Sequence, residues 1–282
     1  MERRPLDPLA KTALWTASMR AREHERADRL FDEPLAALLA TEDGEKIMNS
    51  FEGVVQRGVE DPALAVRTRF LDERISDAAT KLDVRQFVFV AAGMDTRGYR
   101  LEWPDGSVLF ELDRGELLDM KDELLEGAQA KPACVVYRLG VDLLGDWLGP
   151  LIRAGFRPAE RTLWLVEGLF YFLSDHERDT LIKEMTSVSA RQSQLLADYV
   201  TQDALDSPSM AAWREKMAQC GHPWKSGCNH PDRVFGEQGW SARVVAYGSA
   251  EADYGRWAAS EIAPGVSGTR GRYIIDATLQ AA

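Results

Sequence analysis

The stretch from Phe87 to Leu101, FVFVAAGMDTRGYRL, constrains the chain more than any other. Its apolar run Phe87 to Val90 breaks off at Ala91-Ala92-Gly93, the pattern of a buried strand entering a tight turn. Gly93 lets the backbone approach a ligand with no Cβ in the way, and Asp95 and Thr96 can satisfy orphan amides where a helix begins. The glycines here are Gly93 and Gly98, so neither a Gly-x-Gly-x-x-Gly dinucleotide fingerprint nor a phosphate-cradling Gly-Lys-Ser/Thr is present. Downstream, the short apolar strand beginning at Val108 ends in acid at Asp113. In doubly wound α/β folds an acid at the end of the second strand accepts both hydroxyls of a ribose, which points to a nucleoside ligand. Asp113 is preferred over Glu111 for that role because it lies past the last strand residue; Glu111 is expected to support it from behind.

The same alternation of strand and helix continues along the chain. Ala133 to Arg138 predicts a third strand leading to Asp142-Leu143, where a carboxylate can accept an adenine amine and a leucine can pack on the ring. Asp142 equally suits capping a helix that begins at Leu143. Thr162 to Val166 predicts a central strand that delivers Glu167 to the edge of the glycine turn, and Gln194 to Tyr199 a fifth. Ser241 to Tyr247 and Arg272 to Ala277 predict a closing pair.

Helices are expected over Pro8 to Glu25, with Leu9, Ala13, Ala17 and Arg20 on one face, and over Phe31 to Ala40. A third opens at Asp61-Pro62 and presents Leu64, Phe70, Leu71 and Ile75 to the sheet. Arg67 lies off that stripe and can clamp a carboxylate bidentately; Arg69 points the opposite way, and both also suit a solvated surface. Ser174 and Glu177 form a capping box that opens a helix over 176–190, which makes His176 a first-turn helix residue.

At 282 residues and 45% hydrophobic content the chain can bury one α/β core with elaborations. The expected organisation is a single domain: a helical cap over 1–60, a core over 61–200, an insertion over 201–240 and closing strands over 241–282. A net charge of −11 opposes nucleic acid and anionic membranes through repulsion and leaves a small molecule or a protein as partner. With no signal-peptide pattern and no apolar run near the roughly 20 residues of a membrane helix, the expected location is the cytoplasm. Cys134, Cys220 and Cys228 are too few and odd in number for a disulfide framework. The pairs Cys220-x-His222 and Cys228-x-His230 do not follow zinc-ligand spacing, so no metal is expected.

The glycine turn, the Glu-Leu-Asp strand end, Val141-Asp142-Leu143 and Leu163 to Leu169 together resemble the leucine carboxyl methyltransferase family, including its bacterial polyketide and secondary-metabolite O-methyltransferase branch. The resemblance runs from Lys11 to Tyr273 and implies a class I methyltransferase: a Rossmann-like, seven-stranded α/β sheet with an N-terminal helical cap and a lid insertion. It implies S-adenosylmethionine as cofactor, with Lys11 and Arg67 at family contact positions, Asp142-Leu143 on the adenine, and Glu167 near the methionine or sulfonium end. Many relatives carry glycine where Ala91 stands, and alanine also occurs there in the bacterial branch.

Residues 201–240 exceed what a minimal methyltransferase core needs, so the insertion is assigned to the acceptor, with Trp213, His222 and Trp224, alongside Tyr199, as candidate substrate residues. A sulfonium methyl is already activated, so the protein mainly has to align the acceptor and exclude water. A carboxylate acceptor needs no base, whereas a phenol would call on a histidine such as His222. The implied activity is O-methylation of a carboxylate or phenolic hydroxyl on a small, polyketide-like metabolite. The alternatives are carboxyl methylation of a protein C-terminus and cofactor binding without catalysis. A nicotinamide oxidoreductase lacks its glycine triad here.

Overall fold

The computed structural model describes residues 8–50, 62–257 and 271–280. Seven strands form one sheet in the order β3-β2-β1-β4-β5-β7-β6. They are β1 (Gln86–Val90), β2 (Val108–Asp113), β3 (Val135–Gly140), β4 (Thr162–Val166), β5 (Gln194–Val200), β6 (Trp240–Ala246) and β7 (Arg272–Leu279). The first five run parallel, while β7 lies antiparallel to both β5 and β6. Asp113 is the last residue of β2 rather than the first beyond it, and β3 starts at Val135 rather than Ala133.

β1 and β4 are apolar at nearly every position because both faces of the sheet are covered. Val88, Val90, Trp164 and Val166 point to the side packed by α6 (Leu148–Arg153), α7 (Asp175–Ser187) and α10 (Pro231–Gly236). Phe87, Phe89, Leu163 and Leu165 point to the side covered by Phe70, Leu71 and Ile75 of α3 (Ala63–Thr80). The Ser174–Glu177 capping box closes both ways, and the helix it opens ends at Ser187, short of residue 190.

The cap consists of α1 (Pro8–Glu25) and α2 (Ala36–Ser50), packed on each other and, through Leu39 and Leu117, on α5 (Gly115–Gly127). The contact is close: a Cβ on Gly44 would lie 2.4 Å from the Leu14 carbonyl oxygen. The second helix does not start at Phe31. Glu33, expected in its first turn, is instead 1% exposed, accepting from the Thr96 hydroxyl at 2.9 Å and lying 3.4 Å from Arg100. These tertiary contacts hold the 31–35 segment out of the helix. No helix among the described residues is long and apolar enough to cross a membrane.

After β5 the chain forms α8 (Gln202–Asp206) and α9 (Ala211–Gln219), then an extended return over 222–230. The return is pinned by Lys225 N–H to the Tyr171 carbonyl at 2.7 Å and by Cys228 N–H to the Val200 carbonyl at 2.8 Å.

Candidate functional site

A cavity of about 410 Å³ opens at the carboxyl ends of the parallel strands, with the cap above it and the 201–240 insertion along one side. Ligands of open α/β sheets bind at this edge because the strand-to-helix turns there expose backbone and side chains while the sheet stays rigid. At the turn after β1, Ala91 and Gly93 both adopt left-handed backbone, with φ of 55° and 53°. Glycine tolerates that conformation, whereas the methyl group of Ala91 is held in it against steric preference. A Cβ on Gly93 would approach Ala13 of α1 at 3.1 Å, so the bare backbone here is also where the cap rests. As expected for the start of a short helix, α4 (Arg97–Arg100), Asp95 Oδ1 accepts from the Arg97 amide at 2.7 Å.

Asp113 borders this turn. One of its carboxylate oxygens accepts the Gly93 amide and the other the Arg114 amide, each at 2.7 Å. A carboxylate oxygen can accept more than one hydrogen bond, which is what recognition of two vicinal hydroxyls uses. Asp142 and Leu143 also line the cavity, but no helix begins there. Asp142 Oδ1 takes the Leu144 amide at 3.1 Å in a tight turn, and the next helix starts only at Leu148. Glu111 is fully buried beneath the strand, held by Lys121 at 2.7 Å and Arg138 at 2.8 Å.

On the opposite wall, Glu167 is the centre of a buried charge network. Its Oε1 accepts from Arg20 of α1 and Arg67 of α3, both at 2.9 Å, and its Oε2 accepts from Arg97 at 2.7 Å. Arg67 also donates to Asp198 at 2.7 Å, and Asp198 takes the Gly168 amide at 2.6 Å. Arg97 continues to Asp95 and, at 2.6 Å, to Asp72. Burial by itself would raise the Glu167 pKa, but Arg97, Arg20 and Arg67 outweigh it and hold the carboxyl well below its usual range. Burial opposes the charge of Arg67 as well, and Asp198 and Glu167 more than restore it.

Arg67 thus lines the cavity, where the family resemblance implies it, whereas Arg69 is exposed and pairs with Glu73 at 2.8 Å. Glu167 lines the cavity too, yet its oxygens are committed to arginines. Lys11 is the exception among the expected cofactor contacts. It is exposed and absent from the lining, because the inward stripe of α1 runs through Ala10, Leu14 and Ala17 and turns the intervening Lys11 away.

The wall beside the 201–240 segment is a continuous run of rings. Tyr171 meets Trp224 with centroids 4.4 Å apart, Trp224 meets Trp213 at 5.6 Å, and Trp213 meets Trp15 of the cap at 5.5 Å. Tyr199 contributes to the wall, although its ring stacks on Phe170 and its hydroxyl accepts from Arg178 at 2.9 Å. His222 does not line the cavity. Helix α9 ends with Gly221 in left-handed conformation; the His222 amide bonds the Met217 carbonyl at 2.9 Å and the Gly221 amide the Ala218 carbonyl at 3.0 Å. This Schellman turn sends the residue after glycine back against the helix, so His222 is buried edge-on to Phe172 behind the wall.

The family model for leucine carboxyl methyltransferase matches residues 13–186. The chain belongs to the leucine carboxyl methyltransferase family. A protein of Parafrankia sp., provisionally named an S-adenosyl-L-methionine-dependent methyltransferase, is 36% identical over 262 residues, covering 84% of this chain and 78% of its own. One of Mycobacteroides abscessus with the same provisional name is 31% identical over 297 residues, covering 95% and 94%. Among solved structures, a DUF574 family protein of Streptomyces avermitilis superposes with a TM-score of 0.63 at 14% identity, covering 94% of this chain and 97% of that one. A protein of Thermobifida fusca provisionally named a methyltransferase gives 0.61 at 14% identity, covering 93% and 98%. At that identity the likeness concerns the fold, the seven-stranded α/β sheet of class I methyltransferases.

In this leucine carboxyl methyltransferase family member, the sequence puts Asp198 at the end of the fifth strand, facing the active edge, without a contact to make there, and marks no site role for Arg20, Arg97 or Tyr171. For Asp198 a signal was present. Val166 pairs with Ala197, so the next residues on the two strands are Glu167 and Asp198. Two acids at adjacent strand ends require a cation between them, and Arg67, which reaches both, supplies it.

Proposed function

We propose that this protein methylates a carboxylate oxygen of a small, flat, largely apolar organic acid, using S-adenosylmethionine. The residues at the strand ends fit that cofactor. Asp113 presents its carboxylate to the cavity for ribose hydroxyls beside the bare Gly93 backbone, Asp142 and Leu143 flank the adenine side, and Arg67 offers a buried guanidinium to the amino-acid carboxylate. When bound, S-adenosylmethionine supplies an electrophilic methyl group on its sulfonium.

The protein's own part is orientation and exclusion of water. The ring series Trp15, Trp213, Trp224 and Tyr171 gives an acceptor an apolar bed with aromatic faces. What favours a carboxylate over a phenol is the protonation chemistry of the wall: no histidine stands among the described lining residues. Glu167 is a poor proton acceptor because three arginines hold its pKa low, and Asp198 is tied to Arg67 and the Gly168 amide. Burial pushes the Tyr171 phenol above its usual range, so it stays neutral. An acceptor already ionised at neutral pH needs none of these groups as a base.

Labelled methyl transfer to a panel of aromatic and aliphatic acids, phenols and C-terminal peptides tests the reading. The expected product is a base-labile methyl ester of a small acid. Trp224→Ala should lower transfer while cofactor affinity stays within about 0.5 kcal/mol, as for separable sites. His222→Ala should leave the pH dependence of the rate unchanged. A methyl ether product whose rate loses a transition near pH 6.5 in His222→Ala would overturn the carboxylate reading.

A further inference from the structure

Three tyrosines stand among the described residues of the cavity wall, and the hydroxyls of two are engaged. That of Tyr199 accepts from Arg178 at 2.9 Å. That of Tyr171 lies beside Arg67 at the Gly168 turn, 3.3 Å from where a Gly168 Cβ would stand. Tyr247 differs. It is 5% exposed and lines the cavity, yet its hydroxyl makes no hydrogen bond among the described residues. Leaving a buried polar group without a partner costs stability, so such a hydroxyl at a cavity wall marks a place for a ligand oxygen. The ring is held from behind: Gly248, at φ 83°, folds the chain back, and Trp257 returns to meet Tyr247 with centroids 5.3 Å apart.

Position along the sheet says which ligand. At the carboxyl edge the wall runs from Asp142 after β3 through Asp113 on β2 and Gly93 after β1 to Glu167 after β4, and beyond them come Asp198 on β5 and Tyr247 after β6. The cofactor reading uses the first four. Neighbouring strands lie about 4.8 Å apart, so the backbone of Tyr247, three strands past β4, stands roughly 14 Å beyond that of Glu167. This stretch of the edge is left to the acceptor.

We propose that Tyr247 is an acceptor-binding residue, whose O–H donates to the carboxylate oxygen that does not take the methyl and so turns the other oxygen towards the sulfonium. The inference rests on the carboxylate reading above and supplies the group that orients that carboxylate. The reacting oxygen forms its bond to the methyl carbon as the carbon–sulfur bond breaks and its electron pair goes to sulfur. No proton moves, so Tyr247 keeps its hydrogen throughout. Burial, reinforced by Asp198, raises the phenol well above its usual range against the opposing pull of Arg67 and Arg272, and at neutral pH it is a donor. A neutral donor also suits the reaction: it aims the carboxylate while withdrawing less of its charge than a guanidinium would, and it holds an uncharged ester product less firmly.

Tyr247→Phe keeps the ring against Trp257 and removes only the hydroxyl. Quenching of tryptophan fluorescence, with S-adenosylhomocysteine saturating, measures the binding of 2-naphthoate, cinnamate and benzoate, and naphthalene serves as a probe with a flat ring system and no acid. The wild-type protein should bind at least one of the acids. In Tyr247→Phe that acid should bind about 10- to 100-fold more weakly, the scale of one hydrogen bond to a charged group, while naphthalene and S-adenosylhomocysteine stay within about twofold. Methyl transfer to the same acid should lose kcat/KM by a similar factor. Equal weakening of the acid and naphthalene would assign Tyr247 to packing, and weakening of S-adenosylhomocysteine in step would assign it to the cofactor; either result overturns the proposal. So does an unchanged affinity for the acid, which sinks the role of Tyr247 alone. A wild-type protein that binds S-adenosylhomocysteine and none of the three acids sinks the carboxylate reading itself, and the role of Tyr247 with it.

Discussion

Replacing Arg67 by methionine keeps most of the buried stem and removes the charge, and the structure shows where the cost falls. Two contacts disappear, to Glu167 at 2.9 Å and to Asp198 at 2.7 Å. Glu167 keeps Arg20 and Arg97, so its charge stays compensated. Asp198, 5% exposed, keeps the Gly168 amide but loses its cation. Stripping one partner from a buried ion pair costs about 3–5 kcal/mol, most of it the stranded charge. Arg67→Met should lose that much stability in urea denaturation followed by circular dichroism at neutral pH, in addition to its weaker cofactor binding. Adding Asp198→Asn removes the stranded charge, so the double variant should recover at least about 1.5 kcal/mol, within the range of contacting pairs. Arg69→Ala, which breaks an exposed pair with Glu73, should cost about 1 kcal/mol or less. A loss below about 1 kcal/mol in Arg67→Met, or strictly additive effects with Asp198→Asn, would show that Asp198 does not depend on Arg67.

Gly44→Ala gains helix propensity of about 1 kcal/mol but drives a Cβ into the Leu14 carbonyl, so a net loss of about 1–2 kcal/mol is expected; a more stable variant would refute the close α1–α2 contact. Ala91→Gly relieves a left-handed alanine worth about 1–2 kcal/mol against about 0.5–1 kcal/mol of added chain entropy, and thermal denaturation should show a small gain; a loss above about 1 kcal/mol would contradict it. For Glu167 the native pKa is depressed from an ordinary value near 4.5, so its stabilisation is present above that pH and is lost as pH falls through the depressed native value. The stability gap between wild type and Glu167→Gln should therefore be flat near neutrality and narrow below about pH 4.5, and a gap that widened on acidification would reverse the sign.

Features that depend on neighbours along the chain are legible before folding. Phe87 to Val90 and Thr162 to Val166 read as central strands because a sheet covered on both faces needs apolar residues at every position. Helix α1 and the Ser174–Glu177 box follow from local periodicity and local hydrogen bonds; helical spacing sets Arg67 and Arg69 on opposite sides, and the family resemblance selects Arg67 as the one that faces the glycine turn. Asp113 and Glu167 were visible as acids at strand ends. Tertiary structure decided which charges meet: Arg20 lies 147 positions from Glu167, and Arg67 lies 131 from Asp198, so no local pattern records either pair. It also decided that Glu33 leaves its helix for Thr96, Arg20 and Arg100, and that Lys11 faces solvent. His222 was drawn behind the wall by a glycine-ended helix whose packing on Phe172 only the folded chain supplies. The physical reason is common to these cases. A buried charge or ring is stable only beside its partner, and that partner comes from whichever distant segment the sheet brings to the same edge.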